Sequence, residues 1–160
     1  MHNLCKGELF MSYGNLETLY RQVIMDHYKN PRNKGLKSGE DYYQVHLKNP
    51  TCGDDLTLQI KVKNNYITEV HHDGSGCSIS MSAASVMSET IMGLKIEDAK
   101  KIIDNYLHMV KGEAYDAEID MGDAIVYQGV SQFPARFKCA TIAWNALDKV
   151  LEKHKVPDEK

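Results

Sequence analysis

The sequence has little that would place it in a membrane or on nucleic acid. No apolar run approaches the roughly 20 residues of a membrane span, and Met1 to Phe10 lacks the apolar core of a secretory signal. Positive charge is in short supply: 19 Lys and Arg face 22 Asp and Glu, for a net charge of −3. That balance gives no electrostatic ground for binding nucleic acid or an anionic membrane. There is no C-x-x-C pair, so a zinc knuckle built from neighbouring residues is excluded. Gly74-Ser75-Gly76 fits neither the GxGxxG nor the GKS pattern of a nucleotide loop. Internal repeats and low-complexity segments are also missing. The four cysteines, without a secretion signal, point to the reducing cytoplasm, where thiols serve metals or redox chemistry more often than disulfides.

With 160 residues, 42% of them hydrophobic, the chain suits one soluble domain with a proper core. The domain is expected over residues 13–153, after a disordered leader at 1–12 and before a frayed tail at 154–160. Met11 makes a more ordinary-looking start than Met1. Leu16, Leu19, Tyr20, Val23, Ile24 and His27 form the stripe of an amphipathic helix, with Asn15 as its N-cap. Asn30-Pro31 ends it, because the residue before proline is pushed out of the α region.

A polar linker, Lys34 to Asp41, leads to a change of period. Tyr43, Val45 and Leu47 alternate with polar neighbours, as do Leu56, Leu58, Ile60 and Val62, and Ile67 and Val70 open a third segment. Asn64-Asn65 reads as a hairpin turn. Cys52 and Asp54 fall in the connection between the first two strands, and Gly74 and Gly76 permit a reversal before Cys77. Helices are expected over Ser78 to Met92, ended by Gly93, and over Ile96 to Val110. Gly112 to Gln132 reads as acidic and irregular, with a short β-like run Ala124 to Tyr127. Pro134 marks the approach of a last helix whose stripe is Ala140, Ala143, Trp144, Leu147, Val150 and Leu151. The fold class is therefore α+β, a three-stranded antiparallel sheet packed against several helices.

Cys52, Asp54, Cys77 and Cys139 are far apart in sequence, yet each stands at a glycine turn or a helix start and none lies mid-strand. Together they suggest one metal site assembled by tertiary structure. Three thiolates and a carboxylate suit tetrahedral Zn2+ or the iron of an Fe–S cluster better than Mg2+ or Ca2+. A helix N-terminus favours a thiolate at Cys77 and Cys139, while Arg136 and Lys138 add positive charge beside Cys139. Cys52, on a turn, is expected to be the most mobile of the three. The competing reading, that free cysteines are small buried hydrophobes, holds best for Cys5 in the leader. His71 and His72 are neighbours on a strand, so they point to opposite faces and read as a solvated strand end. His27 reads as a capped core histidine, and Met81, Met87, Met92 and Met109 as core filler.

At these residues the sequence resembles the U-type iron–sulfur assembly proteins of the NifU/IscU family, and more closely the SufU branch. The resemblance rests on Asn49-Pro50-Thr51-Cys52-Gly53-Asp54, Gly74-Ser75-Gly76-Cys77, Arg136-Phe137-Lys138-Cys139-Ala140, and the opening run from Leu19 to Asn33. It spans residues 13 to 153. Scaffold members carry histidine just before the last cysteine, where this chain has Lys138, and a Leu-Pro-Pro-Val-Lys signal upstream that Gly129 to Lys138 does not match. The SufU branch carries an insertion ahead of the last cysteine, which Gly112 to Gln132 resembles. The resemblance implies a SufE/NifU-like fold and a zinc-bound sulfurtransferase. Such a protein takes persulfide sulfur from a PLP-dependent cysteine desulfurase of the SufS type and passes it to downstream iron–sulfur assembly proteins.

Moving that sulfur needs a nucleophilic thiolate able to reach it. Zinc keeps thiolates deprotonated but blocks them as nucleophiles, so one ligand is expected to leave when the partner docks. Cys52 is the expected acceptor, Asp54 holds the metal without competing for sulfur, and Arg136 offsets charge or orients the attacking thiolate. Two alternatives stand beside this: a scaffold holding a transient [2Fe–2S] cluster on the same ligands, and a binding module with purely structural zinc.

Overall fold

A computed structural model describes the backbone of residues 6–51 and 53–158 and the side chains of residues 18–51 and 53–154. The elements run α1 (Lys6–Lys29), β1 (Tyr43–Asn49), β2 (Asp54–Lys63), β3 (Tyr66–Ser75), α2 (Ser78–Ile91), α3 (Ile96–Val110), a 3-10 segment (Gly122–Gln132), a 3-10 turn (Pro134–Arg136) and α4 (Phe137–Asp158). The three strands form one antiparallel sheet in the order β1-β2-β3. The α+β class expected from the periodicity is the observed one.

The sheet shows why period two matters here. Val45 faces Leu58 and Leu47 faces Leu56 across β1 and β2, while Leu58 faces His72 and Ile60 faces Val70 across β2 and β3. These residues share one face, which α2 and α4 cover; Leu56, Leu58, Ile60 and Val70 have no exposed surface. The hairpin between β2 and β3 turns at Asn64 and Asn65, with φ of 52° and 68°, the left-handed pair that asparagine tolerates. In α4 the whole expected stripe is buried, from Ala140 to Leu151. α3 has the predicted bounds and buries Ala99, Ile102, Ile103, Tyr106 and Val110.

Four local expectations are corrected. α1 begins at Lys6, so Asn15 lies within the helix and does not cap it. Leu19 is exposed despite its place on the stripe, because α1 packs on α2 with only part of its apolar face. The Ala124–Tyr127 run forms no strand. It lies in the 3-10 segment, where local bonds such as Ala124 N–H to Met121 O (3.0 Å) satisfy the backbone and let Ala124, Val126 and Tyr127 point inward. His72 is buried and not solvated: its Nε2 donates to Arg32 O (2.8 Å), and its backbone N–H reaches Asn33 O (3.1 Å). That pins the segment after α1 along β3. His71, pointing the other way, bonds Glu69 at 2.8 Å, as strand alternation requires.

Candidate metal centre

β2 starts at Asp54, two residues before Leu56, so the carboxylate continues the row of core-facing side chains. The sequence reading leaves Asp54 in a loop; the structure pairs it with Asn49 at the end of the sheet. A buried charge there needs donors, and three are supplied. Ser80 Oγ donates to Asp54 Oδ1 at 2.8 Å, the Cys77 backbone N–H donates to the same oxygen at 3.3 Å, and Asn49 Nδ2 donates to Oδ2 at 3.3 Å.

Cys77 is the N-cap of α2, and Cys139 is the third residue of α4. Both helices therefore deliver a thiol from their first turns to the sheet end where Asp54 sits. One ligand atom from each of Asp54, Cys77 and Cys139 lies within 4.8 Å of the others. Asp54 and Cys139 are buried, and Cys77 is partly exposed, so the cluster opens at Cys77. Burial pushes the Cys77 thiol up, but the Ser80 N–H and hydroxyl, Cys139 and the Ile79 N–H outweigh it and bring it below the usual thiol value. Arg136 Nη1 lies 3.8 Å from Cys139 Sγ. Lys138 is exposed and lines a cavity with Asn49, Pro50 and Thr51. Cys52, the fourth expected member, lies outside the described residues; its neighbours Thr51 and Gly53 are exposed.

The structure thus brings Asp54, Cys77 and Cys139 together, with Arg136 against Cys139. Two thiols and one buried carboxylate are a donor set suited to Zn2+ or iron. Sequence reasoning missed Ser80 and Asn49. A signal for Ser80 existed: it follows Cys77 by three residues in a helix first turn, which puts both on one face.

Among the described residues a second cluster also converges: His27, Glu89 and Asp123. Here the histidine is already satisfied, as expected of a core residue. His27 Nδ1 meets Ser85 Oγ at 2.8 Å and Nε2 donates to Asp123 Oδ2 at 3.1 Å, while the Arg32 side chain approaches Glu89. His27 therefore ties α1 and α2 to the start of the 3-10 segment. His27→Ala should cost about 2 kcal/mol of stability, read as a lower urea midpoint with the metal site intact.

The comparisons with known proteins agree with this geometry. The NifU-like N terminal domain family matches residues 19–140. The chain is 50% identical over 139 residues to the zinc-dependent sulfurtransferase SufU of Bacillus subtilis (strain 168), covering 87% of this chain and 93% of that protein. It is 36% identical to the iron–sulfur cluster assembly scaffold protein IscU of Streptococcus pyogenes serotype M1, covering 89% of each chain. Among solved structures, the SUF-system scaffold protein FiSufU of Fervidobacterium islandicum AW-1 superposes with a TM-score of 0.72 at 30% identity, covering 79% of this chain and 92% of that one. No described helix is long and apolar enough to cross a membrane. From its motifs, its sheet-end thiol cluster and these matches, the chain belongs to the NifU-like N terminal domain family, in its SufU branch.

Proposed function

We propose that this chain is a zinc-dependent sulfurtransferase of iron–sulfur cluster assembly. It accepts persulfide sulfur from a PLP-dependent cysteine desulfurase of the SufS type in the cytoplasm and hands it to downstream assembly proteins. The observation that carries this reading is the convergence of Asp54, Cys77 and Cys139 at one sheet end. The 50% identity to a zinc-dependent sulfurtransferase supports it, and so does Lys138 in the position where scaffold members carry histidine.

Cys52, Asp54, Cys77 and Cys139 are the proposed zinc ligands. Bound there, zinc supplies the charge that keeps the thiols deprotonated at neutral pH. Cys77 and Cys139 are fixed at the starts of α2 and α4, which leaves Cys52 as the thiolate released for attack. Its sulfur attacks the outer sulfur of the desulfurase persulfide. The donor S–S bond breaks as the new one forms, the desulfurase cysteine departs as a thiolate, and no net oxidation occurs. Asp54 offers no sulfur nucleophile, so it anchors the site without competing. Arg136, beside Cys139, offsets the negative charge of the cluster.

The test is desulfurase turnover with and without this protein, with metal analysis of the same sample. A colourless protein with about one zinc that stimulates turnover supports the carrier. A brown protein with charge-transfer absorption supports the [2Fe–2S] scaffold instead. Cys52→Ala should lose sulfur acceptance while still docking on the desulfurase. Full stimulation by that variant would remove Cys52 from the role.

A further inference from the structure

Asp54 is the only oxygen ligand in the proposed zinc site, and its two oxygens are treated differently. Oδ1 accepts two hydrogen bonds, from the Ser80 hydroxyl at 2.8 Å and the Cys77 N–H at 3.3 Å. Oδ2 accepts one, from the Asn49 amide at 3.3 Å. Ser80 is wholly buried, so its hydroxyl has no solvent to turn to. Its neighbours also include Cys77 O at 3.1 Å, as in any helix serine, and Cys77 Sγ at 3.7 Å, but the carboxylate oxygen at 2.8 Å is the nearest acceptor for its single proton. Space is reserved for this contact as well. A Cβ on Gly76 would stand 2.5 Å from both Asp54 Oδ1 and Ser80 Oγ.

We infer that Ser80 is a positioning residue which, with the Cys77 N–H, occupies Asp54 Oδ1 and so leaves Oδ2 as the one oxygen offered to the metal. The inference rests on the zinc reading above and deepens it. An aspartate free to turn could chelate through both oxygens and hold the ion at a higher coordination number. One locked by Ser80 would offer a bound ion a single oxygen beside the thiols. Outer partners of this kind fix ligand orientation, and their loss weakens metal binding by about 10- to 100-fold.

Zinc titration against a chromophoric chelator tests this without any desulfurase, on wild type, Ser80→Ala, Asp54→Ala and the double variant. Ser80→Ala should bind zinc about 10- to 100-fold more weakly. The double variant should bind no more weakly than Asp54→Ala alone, because the hydroxyl proton goes to that carboxylate, while the Cys77 thiol, 3.7 Å from Ser80 Oγ, keeps the Ser80 backbone N–H in either variant. Unchanged affinity in Ser80→Ala, or a further tenfold loss in the double variant, overturns the inference. Zinc-edge X-ray absorption on the wild type needs no variant, so the test survives a Ser80→Ala protein that does not fold. One oxygen beside sulfur ligands is expected, and two oxygens at bonding distance overturn it. A protein that passes these tests yet accepts no sulfur refutes the proposed function alone. One that accepts sulfur with a wild-type zinc affinity in Ser80→Ala refutes only the role of Ser80.

Discussion

Gly76→Ala is expected to cost about 100-fold or more in zinc affinity, at the upper end of what a displaced outer partner costs, and to abolish sulfur acceptance. The added methyl would meet Asp54 Oδ1 and Ser80 Oγ at 2.5 Å and Asp54 Cγ at 3.2 Å. None of these atoms is the free end of a flexible side chain. Asp54 is bonded at both oxygens from three donors, and Ser80 is sealed in the first turn of α2. Relief requires either that the carboxylate leave its donors while buried, at about 1–3 kcal/mol for each unsatisfied group, or that residue 76 retreat and take Cys77 with it. Either movement breaks the cluster. The apolar core is carried by other residues, so Gly76→Ala should still fold, and circular dichroism should show native helix content. A Gly76→Ala protein with wild-type zinc affinity would mean that the sheet end yields at little cost. The close approach would then be no part of the site.

The second large effect concerns stability. Trp144→Ala should destabilise the domain by about 3–5 kcal/mol, a large share of the roughly 5–15 kcal/mol that holds an ordinary domain folded. Trp144 is wholly buried in α4 and stacks on Tyr106 of α3, with ring centroids 4.2 Å apart and planes at 17°. Tyr106 in turn donates to Ala140 O at 2.8 Å and meets Tyr127 of the 3-10 segment edge-on at 6.1 Å. Burial raises the Tyr106 phenol well above its usual value, so it stays a neutral donor. Removing the indole leaves a cavity where α3, α4 and the 3-10 segment meet. Trp144→Phe keeps a ring in that space and removes an indole N–H that makes no hydrogen bond among the described residues. It should cost far less, about 1.5 kcal/mol or below. Urea melts followed by circular dichroism would rank the two; equal losses would show that the space does not depend on an aromatic ring.

What could be read in advance followed periodicity. The α4 stripe, the bounds of α3 and the Asn64-Asn65 turn depend on residues near one another in sequence, and each was legible. α1 was harder, because its helix continues N-terminally to the apolar stripe and one stripe residue, Leu19, is exposed. The 3-10 segment misled for a related reason. Ala124-Ile125-Val126-Tyr127 has strand-like composition, but inward packing against the helices took those side chains, and local hydrogen bonds took the backbone. His72 looked solvated because nothing in the strand says that the segment at residues 33–35 will lie across it.

The sequence by itself determined the α+β class, the family motifs, and Cys52, Asp54, Cys77 and Cys139 as the residues to watch, of which Cys52 lies outside the described residues. It could do so because those residue types are constrained by chemistry wherever they sit: thiols bind soft metals, and glycines mark close backbone approach. The tertiary structure alone decided that Asp54 is a strand residue on the core face, that Gly76 is where a methyl will not fit, and that Ser80 and Asn49 hold the carboxylate from opposite sides. Asn49 and Ser80 lie 31 positions apart, one closing β1 and the other in the first turn of α2. Their meeting at Asp54 follows from the antiparallel register of β1 on β2 and from α2 starting just beyond the end of β3. No local pattern encodes that encounter, because it is a product of the packing.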